Sequence, residues 1–180
     1  MIGIGLRGMV AAVALCCALP ASATSQVPER IVVDGQQYEM LTQPLQPWMA
    51  DPDTARRFKP FRRPGRTTAL GRGYRGTWAI RDGALYLVSL DNRGDEAPDA
   101  PRPEDLIPLD ALFAPAAGRT TTDSAVPADW YTGQLVIGQG KWTTPPGYGW
   151  DGKYERYLLV QVRQGRVLSR QQVSDLERER

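Results

Sequence analysis

After residue 28 the sequence is dominated by short runs of β-forming residues that are joined in pairs by two-residue turns ending in glycine. The four turns are Asp34-Gly35, Asp82-Gly83, Gln139-Gly140 and Gln164-Gly165. A dipeptide of this kind between two such runs is the strongest local signal of a β-hairpin. Four hairpins predict about eight antiparallel strands between Glu29 and Val173.

The hydrophobic pattern supports this pairing. A two-residue turn fixes which residues lie opposite each other, and opposed residues share a face of the sheet. Around the second turn, Trp78 falls opposite Leu87 and Ile80 falls opposite Leu85, so one face of the hairpin is apolar. The other turns predict the pairs Val162–Val167, Ile137–Trp142, Ile31–Tyr38 and, on the opposite face, Arg30–Glu39.

Helical signals are weaker than the strand signals. Residues 103–114 predict one or two helical turns, and residues 169–180 predict a charged helix in the C-terminal tail. Residues 41–73 and 91–103, which are rich in proline and charge, predict surface connections. The predicted fold is therefore all-β, a single antiparallel, hairpin-rich domain that is a sandwich or a partly open barrel with minor helix.

The first 23 residues have the pattern of a secretory signal peptide. Arg7 precedes an apolar stretch from Met9 to Leu19, and Ala21-Ser22-Ala23 provides the small residues that a signal peptidase recognises. The apolar stretch is shorter than the roughly 20 residues of a membrane-spanning helix. We expect cleavage after Ala23, a periplasmic or secreted location, and no transmembrane span in the product. Acylation of Cys16 or Cys17 is the alternative.

The mature chain is then residues 24–180, a single β domain with its core over about 29–173 and a polar C-terminal tail. Its composition narrows the chemistry, because the sequence has no histidine and its two cysteines lie in the predicted leader. This excludes Ser-His-Asp or Cys-His catalysis, a zinc site of the usual type and a disulfide framework in that domain. We expect no metal and no other cofactor.

Charge is concentrated locally, although the net charge of +2 over 180 residues gives little steering towards a charged partner. Six cations and two phenylalanines fall within residues 56–66. Because the chain is predicted to be exported, anionic glycans, lipid head groups or an acidic protein are reachable partners, and nucleic acid is not expected. The alternative is a solvated loop. The candidate residues for anionic-surface binding are Arg56, Arg57, Lys59, Arg62, Arg63 and Arg66.

Aromatic residues flank a loop rich in proline and glycine between residues 142 and 157. Trp142 and Tyr157 fall in predicted strands and are expected in the core. Tyr148 and Trp150 lie among glycines, where a strand cannot easily bury them, so they are the best candidates for an exposed contact. The alternative is a connection that folds back as a lid. The predicted partner-binding residues are Tyr148, Trp150, Asp151 and Tyr154.

Carboxylates near these aromatics suggest one enzymatic alternative. Glycoside hydrolysis by a carboxylate pair needs two acids that face one cleft, roughly 5 to 10 Å apart. Asp129, Asp151 and Glu155 are the candidates. Their spacing does not select them over other acids, so we assign no catalytic residue.

Two segments resemble those of a family of small bacterial proteins. The residues that carry the resemblance are W-x-I-x-D-G-x-L-Y-L at 78–87 and D-W-Y-x-G-x-L-x-I-x-x-G-K at 129–141. They are mostly core aromatics, strand aliphatics and turn glycines, which mark a fold more than a site. The resemblance implies a β-hairpin fold and an interaction role of the kind known among small exported or toxin-neighbouring proteins. It implies no catalytic residue.

These observations favour a non-catalytic exported envelope protein that binds another protein, in an interaction role or as an immunity-type inhibitor. Two alternatives stay open at this point. One is a small carboxylate-dependent enzyme that acts on envelope glycans. The other is a protein that binds anionic envelope surfaces through its arginine-rich stretch.

Overall fold

The computed structural model describes residues 26–61, 70–93, 101–113, 125–144 and 153–174. Within these residues nine strands form one mixed sheet, which confirms the predicted all-β fold. The strands are β1 (Glu29–Val33), β2 (Gln36–Met40), β3 (Arg75–Arg81), β4 (Ala84–Asp91), β5 (Leu106–Ile107), β6 (Val126–Pro127), β7 (Gly133–Thr144), β8 (Lys153–Arg163) and β9 (Arg166–Val173).

The helical elements are short. They are α1 (Gln46–Met49), α2 (Pro52–Phe58), α3 (Leu109–Leu112) and two 3-10 turns at Lys59–Phe61 and Pro103–Asp105. α2 has the clearest start signal, because the Asp51 side chain accepts hydrogen bonds from the backbone N–H groups of Asp53 and Thr54. The helical turns expected within residues 103–114 are present as a 3-10 turn and α3, with β5 between them.

Three of the four predicted hairpins have the predicted register. Ile31 lies opposite Tyr38, Trp78 opposite Leu87, and Val162 opposite Val167. Their turns have a positive φ at both positions, as in Asp34 (φ 52°) and Gly35 (φ 79°). This is the turn geometry whose twist matches that of the flanking strands.

The fourth predicted hairpin is wrong. β7 runs through Gln139-Gly140 without turning and pairs with β8, so Ile137 lies opposite Leu158 and Trp142 opposite Tyr154. The register shifts between Gln139 and Trp142, and Gly140 has φ 80°. Gly140 therefore serves a β-bulge, which needs the same left-handed conformation as a hairpin turn.

Residues 41–73 were expected to be a surface connection without core residues, and this is also wrong. Leu45, Phe58 and Leu70 are buried, and the Phe58 ring meets the Tyr74 ring edge-on at 5.5 Å. The helices α1 and α2 place apolar side chains of this proline-rich stretch against the sheet. Similarly, Asp91 and Asn92, at the start of the second predicted connection, are buried.

The predicted C-terminal helix is wrong in its described part. Residues 169–173 belong to β9, which pairs with β8. Their polar side chains lie on a strand with exposed faces, where hydrophobic periodicity gives no signal. The rest of the predicted helix, residues 175–180, lies outside the described residues.

The strand pairings form a ring with a seam. The order is β3-β1-β2-β7-β8-β9-β4, and β4 pairs again with β3. Between β9 and β4 only Arg166 and Ala84 are paired, flanked by backbone hydrogen bonds from Leu85 N to Gly165 O (2.8 Å) and from Val167 N to Gly83 O (2.9 Å). Beyond this corner β4 pairs with β6 and β5 instead. Of the two predicted architectures, these pairings match the partly open barrel.

One pairing departs from the antiparallel prediction, because β1 lies parallel to β3. A buried carboxylate joins these two strands at their N-terminal ends. Glu29 Oε2 accepts hydrogen bonds from Gly76 N (2.6 Å) and from Trp78 Nε1 (2.9 Å). Arg72 Nε lies 3.1 Å from the other carboxylate oxygen, and both side chains are almost wholly buried.

A second buried ion pair lies across the neighbouring β3–β4 pair. Arg75 Nε is 3.3 Å from Asp91 Oδ2, and Asp91 Oδ1 accepts a hydrogen bond from Arg93 N at 3.1 Å. Burial raises the pKa of Asp91, and the Arg75 guanidinium offsets this rise only in part. Burial likewise raises the pKa of Glu29 against the opposing effects of Arg72 and the two donors.

The main core fills one side of the sheet. Its largest fully buried side chain is Trp78, which packs with residues of β4, β7 and β8. Alternate residues of β7 and β8 point inward, so neighbouring positions on these strands face away from the main core. The inward residues are Leu135, Ile137, Val160 and Val162.

Trp78→Ala should lower the free energy of unfolding by ~3 to 5 kcal/mol, since it opens a cavity at a fully buried site. It also removes one donor from the buried Glu29 carboxylate. Urea unfolding at pH 7 measures the change. Leu168→Ala, at a side chain that is 57% exposed, is the control and should stay within ~0.5 kcal/mol of the parent chain. Equal urea midpoints for the two variants would contradict the buried position of Trp78.

Glu29→Gln should change the pH dependence of stability in a defined direction. The folded-state pKa of Glu29 is raised above 4.5, so the folded state holds this proton more tightly than the unfolded state. The resulting stabilisation is fully present below the unfolded pKa and is lost as the pH rises through the folded pKa. The free energy of unfolding of the parent chain should therefore fall relative to that of Glu29→Gln as the pH rises from 4.

Urea unfolding of both chains between pH 4 and pH 8 tests this sign. Glu104→Gln, at an exposed carboxyl, corrects for the removal of one charge. A difference between parent and Glu29→Gln that grows in favour of the parent with rising pH would overturn the assignment.

Candidate functional site

A second apolar cluster lies on the face of the sheet that points away from the main core. Its buried members are Tyr154, Tyr157, Leu159 and Val173, and Leu41 and Val136 pack against them. Leu159 and Val136 alternate in sequence with inward residues of their strands, which places this cluster on the outer face. Trp142 extends it, with its ring centroid 4.5 Å from that of Tyr154. We call Trp142, Tyr154 and Tyr157 the aromatic cluster.

Tyr154 is fixed from several sides. Its ring lies over Gly138, where an added Cβ would come within 2.5 to 2.6 Å of ring carbons. Its ring meets that of Tyr157 edge-on at 5.9 Å, and its hydroxyl donates a hydrogen bond to Glu39. Its backbone N–H donates to the Tyr157 hydroxyl at 3.0 Å. Residue 138 must therefore lack a side chain for the tyrosine to lie flat on β7.

The environment keeps the Tyr154 phenol protonated. Burial raises the pKa of Tyr154, and the hydrogen bond to the Glu39 carboxylate raises it further. The phenol is therefore a neutral hydrogen-bond donor that is locked in place. Its chemistry is that of a structural support, with no tendency towards a nucleophilic phenolate.

Trp142 was expected in the core, and this prediction is wrong. Its side chain is 38% exposed and rests on Tyr154 at the outer face. β7 continues through Gly140 and pairs with β8, so the hairpin turn that would place Ile137 and Trp142 on one face is not there. Recognising that the strand continues through this glycine would have removed the reason for placing the indole in the core. Tyr157, the other residue expected in the core, is buried, but in the outer cluster.

The predicted partner-binding residues divide into two groups. Tyr154 is described and is only 6% exposed, so it supports the surface and does not present its ring to a partner. Tyr148, Trp150 and Asp151 lie outside the described residues. In sequence they fall between the end of β7 at Thr144 and the start of β8 at Lys153.

The arginine-rich stretch is described only in its first part. Arg56 Nη1 pairs with Asp53 at 2.9 Å, with both side chains 75% exposed. Arg57 donates to the Leu112 carbonyl at 3.2 Å and lies over the Trp48 ring at 6.0 Å, so it ties α2 to α3. Lys59 is exposed at the end of α2. Arg62, Arg63 and Arg66 lie outside the described residues.

The candidate carboxylates do not converge where they are described. The Asp129 backbone lies beside Gly165, 3.2 Å from the position of an added Cβ there, and thus at the β8–β9 turn. Glu155 lies beside Gly140, near the opposite end of β8. At ~3.3 Å per residue, the length of β8 between them is on the order of 25 Å. Asp129 and Glu155 therefore form no catalytic pair, and Asp151 lies outside the described residues.

The described residues hold no group of three or more acidic, cysteine or histidine side chains arranged to bind a metal ion. None of the described helices is both long and apolar enough to cross a membrane.

Comparison of this chain with protein-family models, with curated proteins and with solved structures finds no match. The resemblance carried by residues 78–87 and 129–141 therefore stays a prediction from the sequence.

Proposed function

We propose that this chain is a non-catalytic exported protein that binds another protein through the outer face around the aromatic cluster. The observation that carries the proposal is the exposed Trp142 indole, which is held on a buried tyrosine. Export is supported by the leader pattern of residues 1–23, and an immunity-type inhibitor is one form that such a binding protein takes.

The indole has the properties of an interface anchor. Tryptophan and tyrosine are the residues most enriched among those that dominate binding energy, since they bury a large area while losing few rotamers. The Trp142 ring lies against that of Tyr154, with centroids 4.5 Å apart and planes tilted by 38°, and Tyr154 is itself fixed by Glu39 and Tyr157. Because the ring is already ordered, little further side-chain conformational entropy is lost when a partner binds it.

The surroundings of Trp142 have the composition of an interface. The segment that follows it in sequence, residues 145–152, contains two further aromatic residues, Tyr148 and Trp150. Lys153, Glu155 and Arg156 are exposed on the adjoining part of β8. An apolar centre with a polar rim is the usual arrangement of a protein–protein interface.

The structure offers less support to the two alternatives. A glycan hydrolase requires a facing pair of acids, and Asp129 lies far from Glu155. A surface site for anions requires available cations, and Arg57 already bonds the Leu112 carbonyl while Arg56 pairs with Asp53.

Trp142→Ala should weaken binding of the partner by ~2 kcal/mol or more, which is roughly 30-fold in Kd. A partner recovered from the native cell envelope with the full chain would be purified and titrated by calorimetry. Leu106→Ala is the matched control, because Leu106 is 43% exposed and lies on β5, away from β7 and β8. Equal Kd values for the parent chain and Trp142→Ala would remove the aromatic cluster from the interface.

A further inference from the structure

The seam of the ring leaves one side of β9 without a strand partner among the described residues. β9 pairs with β8 from Arg166 to Val173, but its other side meets β4 only at Arg166. The last backbone bond on that side is from Val167 N to Gly83 O. From Leu168 to Val173 the backbone N–H and C=O groups of this side have no strand against them in the part of the chain that the structure describes.

Most of this stretch is also exposed on both faces, and only Val173 at its end is buried. Five consecutive residues, 168–172, are exposed, and successive residues of a strand point to opposite faces. A strand with one free side and exposed side chains on both faces is a template for an added strand. Backbone hydrogen bonds would supply the affinity, and the side chains that flank them would choose the partner.

The charge of the β8–β9 hairpin indicates which segment would fit. Residues 153–173 contain five cations and a single carboxylate, although the whole chain has a net charge of only +2. All five cations are exposed, and one of them, Arg170, pairs with Asp34 at 2.9 Å. Neither Arg163 nor Arg166 has an ion-pair partner among the residues that the structure describes.

The same charges disfavour a second copy of this chain at the edge. Two β9 strands that paired antiparallel around their middle would bring Arg170 of one copy close to Arg170 of the other, and both hairpins carry the same excess of positive charge. Like charges directly opposite each other destabilise a strand pair, whereas opposite charges stabilise it by ~0.2 to 1 kcal/mol. The positive charge of this edge thus disfavours pairing with β9 of a second copy and favours pairing with an acidic strand.

We propose that the free side of β9 takes up an extended acidic segment of a partner protein as an additional strand, a mode of binding that deepens the proposed function and rests on it. The segment would pair with residues 168–173 and place its carboxylates near Arg163 and Arg166. At its far end β9 reaches Val173, which packs with Tyr157 in the outer cluster. A partner on this edge therefore comes within reach of the surface around Trp142.

The test uses an eight-residue peptide of alternating valine and glutamate, blocked at both ends, and the full chain. Amide hydrogen exchange should slow in residues 168–173 when the peptide is added. A peptide with lysine in place of glutamate should leave the exchange unchanged. Replacing Arg163 and Arg166 together with Glu should weaken binding of the acidic peptide about tenfold or more at low salt.

Arg56→Glu combined with Lys59→Glu is the matched control, since it makes the same change in charge on α2 and should leave the affinity within about twofold. Loss of peptide binding in this control as large as in the variant with Arg163 and Arg166 replaced would place the acidic ligand on α2 and overturn the proposal. Unchanged exchange in residues 168–173 at saturating peptide would also overturn it. So would protection of the same residues by dimer formation without peptide, which would make a second copy the occupant.

Trp142→Ala separates this proposal from the proposed function. The peptide is long enough only for the free side of β9, so Trp142→Ala should not change its affinity. If the natural partner loses affinity on Trp142→Ala while the peptide fails to protect β9, the interaction role stands and the added strand is wrong. If the peptide binds as expected while Trp142→Ala does not change the affinity of the partner, the added strand is supported and the aromatic interface is wrong.

Discussion

The hydrogen bonds that Glu29 accepts from Gly76 N and Trp78 Nε1 hold the sheet in its ring form. They tie β1 to β3, the one parallel pair among the described strands, at a position where neither local turn chemistry nor sequence proximity assists the pairing. The carboxylate is buried, and its pKa is raised because burial removes the water that would stabilise its negative charge. In return, the indole at the centre of the core has a fixed orientation. The rest of the packing is built around that indole.

Because β1 pairs with β3, the sheet has an inner face and an outer face. The two faces have different roles. The inner face carries stability through the main core. The outer face of β7 and β8 carries a smaller cluster in which Tyr154 lies on Gly138 and supports Trp142. Because this outer cluster contributes little to the main core, its exposed side chains are available for contacts with other molecules. At the seam, the free side of β9 adds backbone groups next to this outer cluster that are unpaired among the described residues.

What the sequence could predict follows from the range of the interactions. Asp34-Gly35, Asp82-Gly83 and Gln164-Gly165 act on their immediate neighbours, so their hairpins and registers were predictable. Gly140 has the same local conformation, but its role as a bulge depends on β8, more than a dozen residues away. The burial of Leu45 and Phe58 depends on helices docking on distant strands. Trp142 was predicted in the core because a hairpin turn was predicted at Gln139-Gly140. Without that turn the prediction of its burial fails as well.

The long-range strand pairs also set the order in which the fold can assemble. The β1–β3 pair joins residues 47 positions apart, and the β2–β7 and β4–β9 pairs join residues still farther apart in sequence, whereas each hairpin needs only a two-residue turn. Loop-closure entropy is lost before such distant contacts return any free energy, so the hairpins form early and the ring closes late. Until these distant pairs form, the hairpins expose unpaired backbone edges. The nascent chain is therefore most prone to aggregation before its hairpins join into one sheet.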